Sequence, residues 1–566
     1  MKKANLFFIS LFITCQVFAG TFNILDFGAK GDGVFVNTKA INDAVNKCFE
    51  SGGGTVVVPA GTFVTGTIIL KSNIDLHLEP GVVLSGSENL DDYSNLFGKN
   101  GIIFCEDAIN VSISGKGTIH GNGIKFYETD KNHEGINLLF FKKLFEKVDR
   151  EAIQLMVINE PLSQYSRKIW FLYEWLLQKV LDIPDLKDGN YIPLINEKQQ
   201  YALSKGINST RNRILNNLPG TINFCPLITK TQRLENFIKE DLSEKTGKVI
   251  SGVHRDVLLR TSAFLLLKDS KASFSIEGEV PSHTRASRWG NVIGQAETKE
   301  LSGEELVRLQ QIVIENNRFV KMGFRSEGGF VGEHDRSSGE PIPGHLSARY
   351  QDLEILIDGL LKTSVLLEES KFNPVLSATM IAFGFVFIHP FVDGNGRIHR
   401  YLIHHLLAKL GFTPQGIIFP VSAAILERIS DYGKVLEFYS RPILDYIKWK
   451  ETEDHNVEIL NETIDYYRYY DSTMQAEFLF ECVESTINSI IPNEVVYLQK
   501  YDEMKAWLDN KFEMPDNMVA LLIRSLDQNK GVLSNRVLEK EFKALSISEI
   551  KEIEEKYFSI FLDLPL

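Results

Sequence analysis

The most continuous apolar run in the chain begins after Asn373. From Val375 through Leu376, Met380, Ile381, Phe383, Phe385 and Phe387 nearly every position is hydrophobic, the pattern of a helix buried on all sides rather than on one stripe. Asn373 is placed to cap it, and Pro374 takes the first helical position, where a missing N–H costs nothing. After a short polar interruption, Ile398, Leu402, Ile403, Leu406, Leu407 and Leu410 recur at helical spacing, and Gly411 marks the stop. The text upstream is different. Between Thr21 and Gly123, short runs such as Thr55–Val58, Thr67–Leu70, Ile74–Leu78, Val82–Leu84 and Val111–Ile113 are separated by tight turns. Strands this short, with no helices between them, predict the coils of a parallel β-helix. One exception, Asn37 to Cys48, places Ala40, Ile41, Ala44, Val45 and Cys48 on one face of a helix suited to capping the open end.

From Glu134 onward the pattern is helical, with Trp170, Phe171, Tyr173 and Trp175 on an amphipathic helix; past Asp454 the helices are charged, and Met514 to Glu549 suggests a three-helix or winged unit. The start, Met1-Lys2-Lys3 followed by an apolar stretch from Leu6 to Val17 and the small-residue site at Ala19, predicts an export signal. The expected division is 1–19 signal peptide, 20–125 partial β-helix, and helical segments over 134–290, 291–450 and 455–566. A β-helix this short leaves its last coil uncovered unless later elements shield it, and a fusion of two unrelated genes fits the abrupt change equally well.

Length and composition agree with several domains, since 566 residues at 44% hydrophobic content can build more than one core. The net charge of -13 argues against general nucleic-acid binding. No later stretch is long and apolar enough to span a membrane. Cys15, Cys48, Cys105, Cys225 and Cys482 lack metal-ligand spacing. A Cys48 to Cys105 disulfide is conceivable in an oxidising compartment, with buried free thiols as the simpler reading.

Chemistry concentrates at the junction of the two apolar helices, which reads His389-Pro-Phe-Val-Asp393-Gly394-Asn395-Gly396-Arg397-Ile-His-Arg400. Glycines let successive N–H groups turn toward one point, and the N-terminus of the following helix adds positive potential, so this loop suits an anion such as phosphate. Arg397 and Arg400 stand at i and i+3 on one helix face, within reach of the same phosphates. Asp393 is a hard oxygen ligand suited to magnesium, and His389 is free to accept a proton from a hydroxyl.

This stretch resembles the signature of the Fic family, HxFx(D/E)GNGRxxR, at every defined position. The resemblance implies a mainly α-helical Fic fold and transfer of AMP from ATP to a Ser, Thr or Tyr hydroxyl of a target protein, with pyrophosphate leaving. Self-modification would use the same chemistry. Carried over, His389 would be the base, Asp393 the Mg2+ ligand, and Gly394, Asn395, Gly396, Arg397 and Arg400 the ATP-binding residues. Ser273-Phe-Ser-Ile-Glu277-Gly278 resembles the family's inhibitory motif, (S/T)xxxE(G/N), in which the carboxylate of Glu277 would pair with Arg400 and compete with the γ-phosphate. The glycine-punctuated run from Arg325 to Asp335 predicts a hairpin where the family has its target-docking flap, with Gly329, Phe330 and Val331 at its middle. Tyr432 resembles the aromatic that contacts adenine.

A second resemblance covers only the strand-rich part. Phe27-Gly-Ala-Lys-Gly-Asp-Gly, Gly52-Gly-Gly-Thr-Val-Val-Val-Pro-Ala-Gly and Gly115-Lys-Gly-Thr-Ile-His-Gly-Asn-Gly are similar to the N-terminal portion of polygalacturonase-type glycoside hydrolases. That family folds as a right-handed parallel β-helix, of which this would be a truncated fragment. Its catalytic Asn-Thr-Asp and Gly-His-Gly elements are missing here, and Asp91-Asp92 comes too early. Without paired carboxylates there is neither acid nor base for glycoside cleavage, so the alternative reading, a secreted pectin-active relative, is that of an inactive one. Localisation stays divided: the signal sequence points to export, whereas ATP chemistry points to the cytoplasm.

Overall fold

A computed structural model of the chain describes residues 20–89, 92–94, 101–121, 135–251, 253–314, 318, 320–413 and 418–561. The expected export signal, Asp91 and the end of the Gly115 stretch lie outside these residues. The chain divides into two compact units, Met1–Glu134 and Gly135–Leu566.

The described residues of the first unit form ten short strands: β1 Gly20–Asn23, β2 Asp32–Val36, β3 Gly54–Val58, β4 Gly61–Thr65, β5 Ile68–Leu70, β6 Ile74–Leu78, β7 Val82–Gly86, β8 Ile103–Cys105, β9 Ser112–Gly115 and β10 Thr118–His120. They form parallel ladders in the orders β1-β3-β6-β9 and β10-β7-β4-β2, with β5 beside β8. This is the coiled, all-parallel arrangement expected from the sequence. Period-two alternation turns one side chain in two inward, and the register stacks like on like. Val56 sits beside Leu76 and Leu76 beside Ile113, while Phe63 pairs with Leu84 and Leu84 with Ile119. At the coil corner a Cβ on Gly54 would lie 2.1 Å from the Gly20 carbonyl oxygen, so no other residue fits there.

Helix α1, Thr38–Glu50, buries Ala40, Ile41, Ala44, Val45 and Cys48 against the first coil. Asn37 stands at its N-cap but spends its amide on the preceding turn, donating to the carbonyls of Phe35 at 2.6 Å and Lys30 at 3.1 Å. At the other end, Ile113 and Ile119 of the last described coil are 48% and 40% exposed. Cys48 is buried and Cys105 exposed, and both are free thiols, so the conceivable disulfide does not form.

The second unit is helical. Its principal core extends from Leu203 to Val495, a smaller one gathers Leu138 to Leu227 with Tyr469, and a third joins Met504 to Phe561. Six helices frame the site: α2 Arg255–Ser275, α3 His283–Ile293, α4 Gly303–Val313, α5 Leu353–Glu369, α6 Pro374–Ile388 and α7 Asn395–Lys409. Helix α6 is the axis of the core, with Val375 to Phe385, Phe387 and Ile388 all buried. Asn373 caps it as the pattern predicts, accepting from the N–H groups of Val375 at 3.0 Å and Leu376 at 3.1 Å. Beyond Ile459 the described residues contain no strand, so the segment from Met514 to Glu549 is helical and has no wing. Among the described residues no helix is long and apolar enough to cross a membrane.

Candidate active site

His389 ends helix α6. Its backbone adopts a left-handed conformation, φ 54° and ψ 61°, while its N–H still closes the helix on the Phe385 carbonyl at 3.0 Å. That turn lifts the imidazole out of the helix. Nδ1 donates to the Val386 carbonyl at 3.3 Å, which leaves Nε2 as the basic nitrogen. Burial, reinforced by the nearby Arg325 guanidinium, lowers the His389 pKa to about 4, so the ring is neutral near pH 7 and can accept a proton.

Arg325 holds this turn in place. Its backbone N–H donates to Pro390 at 2.9 Å and its Nε to the His389 carbonyl at 2.8 Å. The remaining N–H groups reach the carbonyls of Glu327 and Ala348. A buried guanidinium satisfied entirely by carbonyls is costly for its charge, and burial pulls its pKa down to about 10. From the other side His345 donates Nε2–H to the Phe387 carbonyl at 2.9 Å, with its ring centre 6.4 Å from that of His389. Neither Arg325 nor His345 is distinguishable as a site residue in the sequence, because the bonds that tie them to the end of α6 run to backbone carbonyls 64 and 42 residues away along the chain.

The loop that follows is pinned by its own side chains. Asn395 accepts from Phe391 N–H at 3.0 Å and donates to Phe391 O at 2.8 Å, so its amide faces the backbone and braces the loop. Gly394 has φ +97°, the left-handed region. Gln310 of α4 spans from the Asp393 carbonyl at 3.3 Å to the Gly323 N–H at 2.7 Å, fixing the loop from outside. Asp393 is half-exposed and accepts from Arg397 at 2.7 Å. Gly396 and Arg397 fall in the first turn of α7, whose N–H groups lack intrahelical acceptors.

Both arginines are almost fully buried, Arg397 at 2% and Arg400 at 1% exposure. Arg400 donates Nη2–H to Glu277 at 2.7 Å and to the Ser273 carbonyl at 2.7 Å, and Nε–H to the Ser273 hydroxyl at 3.0 Å. Thus the first and last defined side chains of the Ser273 to Gly278 motif meet the same guanidinium. Gly278, at φ +74°, ends α2 in a Schellman turn: its N–H bonds Ser275 at 3.0 Å, and the N–H of Glu279 bonds Phe274 at 3.1 Å. This is why the motif asks for Gly or Asn after the glutamate. The carboxylate of Glu277 also overhangs the loop, because a Cβ on Gly396 would lie 2.1 Å from its Oε1. Arg397 is held as well, by Glu279, which the motif does not include.

The remaining expected residues fall nearby. A hairpin pairs Phe330–His334 with Pro341–Leu346, with a register shift between Val331 and Gly332; Gly329 precedes it, and its second strand lies beyond the predicted run. Tyr432 is buried, with its ring 6.0 Å from His399 and 5.9 Å from Phe478, and burial raises its hydroxyl pKa to about 12 against the lowering effect of Arg400. Among the described residues no group of His, Cys, Asp and Glu side chains forms a ready-made metal cluster.

Comparisons with known proteins fall on the two units separately. Residues 300–407 match the Fic/DOC family, and residues 21–83 match the rhamnogalacturonase A/epimerase, pectate lyase-like family. The protein adenylyltransferase Fic of Drosophila willistoni is 30% identical over 122 residues, covering 21% of this chain and 22% of that protein. The exo-poly-alpha-D-galacturonosidase of Dickeya chrysanthemi is 36% identical over 149 residues, 23% of this chain and 24% of that protein. The chain therefore spans less than a quarter of the length of either relative. A solved Fic family protein from Desulfovibrio desulfuricans G20 is 19% identical, with a TM-score of 0.34, over 58% of this chain and 86% of that one. The chain thus carries a Fic/DOC domain with Fic adenylyltransferase relatives, preceded by a polygalacturonase-like segment.

Proposed function

We propose that this protein is an AMP-transferase acting on protein hydroxyls, held in a restrained state by Glu277. The observation that carries the reading is the meeting of Glu277 with both Arg400 and the loop at Gly396. An acidic group on a buried arginine, over a glycine-rich anion loop, occupies the position a phosphate needs. Two donors favour a polyphosphate guest: Arg397 Nε and Arg400 Nη1 are buried without a hydrogen-bond partner among the described residues.

In the proposed reaction the target hydroxyl oxygen attacks the α-phosphorus of ATP and its proton passes to Nε2 of His389. The bond from that phosphorus to the pyrophosphate oxygen breaks, and pyrophosphate leaves. Arg397 and Arg400 hold the polyphosphate and balance its charge. Asp393, half-exposed beside Arg397, is the oxygen ligand available to magnesium, which would neutralise polyphosphate charge when bound. The hairpin at Phe330 offers its edge to an extended target segment, and Val331 is exposed there.

Incubation of the purified chain with α-labelled ATP and magnesium tests this. Wild type should label itself or an added protein weakly, Glu277→Gly about tenfold or more strongly, and His389→Ala not detectably. Equal labelling of all three would overturn the reading. Release of reducing sugar from polygalacturonate should be absent, because the Asn-Thr-Asp and Gly-His-Gly elements that would supply acid and base are missing from the sequence.

A further inference from the structure

Glu279 lies outside the inhibitory motif, yet it makes the more elaborate contact. Its two carboxylate oxygens take different arginines: Oε1 accepts from Nη1 of Arg397 on α7, and Oε2 accepts from Nη1 of Arg285 on α3. Arg285 also donates to the Val313 carbonyl at 3.1 Å. Both guanidinium groups rest on the Phe274 ring, 4.5 Å away for Arg285 and 5.5 Å for Arg397. The Nε groups of both arginines are buried and lack a hydrogen-bond partner among the described residues.

This geometry is an anion seat occupied by the protein's own carboxylate. Two guanidinium groups from separate helices, converging on one pair of oxygens with further donors unspent, match phosphate as well as they match Glu279. The left-handed Gly278 is what lets Glu277 and Glu279, only two positions apart, address neighbouring arginines. One displacement of the turn after α2 would release both carboxylates together.

We propose that Glu279 is a second internal competitor for nucleotide, and that Arg285 is a third polyphosphate-binding arginine, exposed to the phosphate chain of ATP once Glu279 leaves. The proposal rests on the AMP-transferase reading and extends it from one carboxylate to a paired latch. It assigns a binding role to a residue outside both the signature and the inhibitory motif.

The test uses the full chain with ATP and magnesium as probe, measuring binding by titration calorimetry and transfer by α-label. In a Glu277→Gly background, Glu279→Gln should tighten ATP binding about tenfold, and Arg285→Met should weaken it about tenfold, the loss appearing in KM more than in kcat. Arg285→Lys should recover part of that loss. Glu279→Gln is nearly isosteric, so it reports even if Arg285→Met folds poorly. Unchanged ATP affinity in Glu279→Gln and Arg285→Lys, alongside strong labelling by Glu277→Gly, would overturn this inference and leave the transferase intact. Absence of labelling in Glu277→Gly would instead overturn the transferase, and the calorimetric comparison would still decide whether Arg285 and Glu279 share an anion seat.

Discussion

The two units bury different kinds of side chain. Among the described residues, the polar groups buried in the coiled unit are Asn37, Thr65, Thr67 and Ser87, none of them charged. The helical unit buries Arg167, Asp269, Arg325, Asp352, Arg397, Arg400 and Asp465 together with His345, His399, His404 and His405. Burying charge is expensive, so a fold that needs only to be stable avoids it. The coiled unit is held by stacked apolar rows and hydrogen-bonded ladders, whereas the helical unit keeps paired or hydrogen-bonded charges inside, and Arg325, Arg397 and Arg400 among them lie at the candidate site.

That contrast can be broken most forcefully with acid. His345 and His399 both have pKa values lowered from 6.5 to about 3 by burial, so in the range below 6.5 the unfolded chain binds protons that the folded chain refuses. Their stabilising contribution is intact above the unfolded value and is lost as pH falls below it. Together with His389, lowered to about 4, they should leave the helical unit about 6 kcal/mol less stable at pH 5 than at pH 7 in urea melts, with the coiled unit changing far less. Equal acid sensitivity of both units would contradict the difference drawn here.

A core truncation probes the other side. Leu76 is fully buried between Val56 and Ile113 in the stacked row, so Leu76→Ala should destabilise the coiled unit by about 3 kcal/mol in a melt. ATP-dependent labelling should be unchanged, which separates a structural row from a chemical one. Arg325→Met is its counterpart in the helical unit. Loss of the carbonyl ties around His389 should reduce labelling about hundredfold. Removing that positive charge also raises the His389 pKa, so the acid limb of the pH profile should move upward from about 4. The smallest effect belongs to Asn373→Ala, where losing the cap of α6 should cost about 1 kcal/mol in thermal melts without altering the pH profile.

What was legible in the sequence was local. The cap at Asn373, the all-round apolar helix, the glycine loop and the alternation of the coil strands each depend on neighbours within a few positions. Even the pairing of Glu277 with Arg400 was accessible, because a motif stands in for the long-range contact. Arg285, Arg325, His345 and Glu279 were not accessible. Each looks like an ordinary charged or polar residue until folding brings a partner from another helix, and none has a local pattern that requires it. Tyr432 is legible only through the family resemblance, since a lone aromatic carries no local pattern of its own, and in the fold its ring packs beside His399 and Phe478. The hairpin was recognised from its glycines, but its second strand could not be located because Pro341–Leu346 lacks simple alternation.

His389 is at once the basic side chain and the residue whose left-handed backbone terminates helix α6. The two jobs make different demands on the amino acid: proton acceptance selects imidazole, and helix termination selects residues that tolerate positive φ, among which His and Asn are favoured over Ala. An experimenter replacing His389 therefore perturbs a stop signal as well as a base. Asn preserves the stop while removing the base, so a comparison of Asn with Ala at this one position would apportion any lost activity between chemistry and chain geometry.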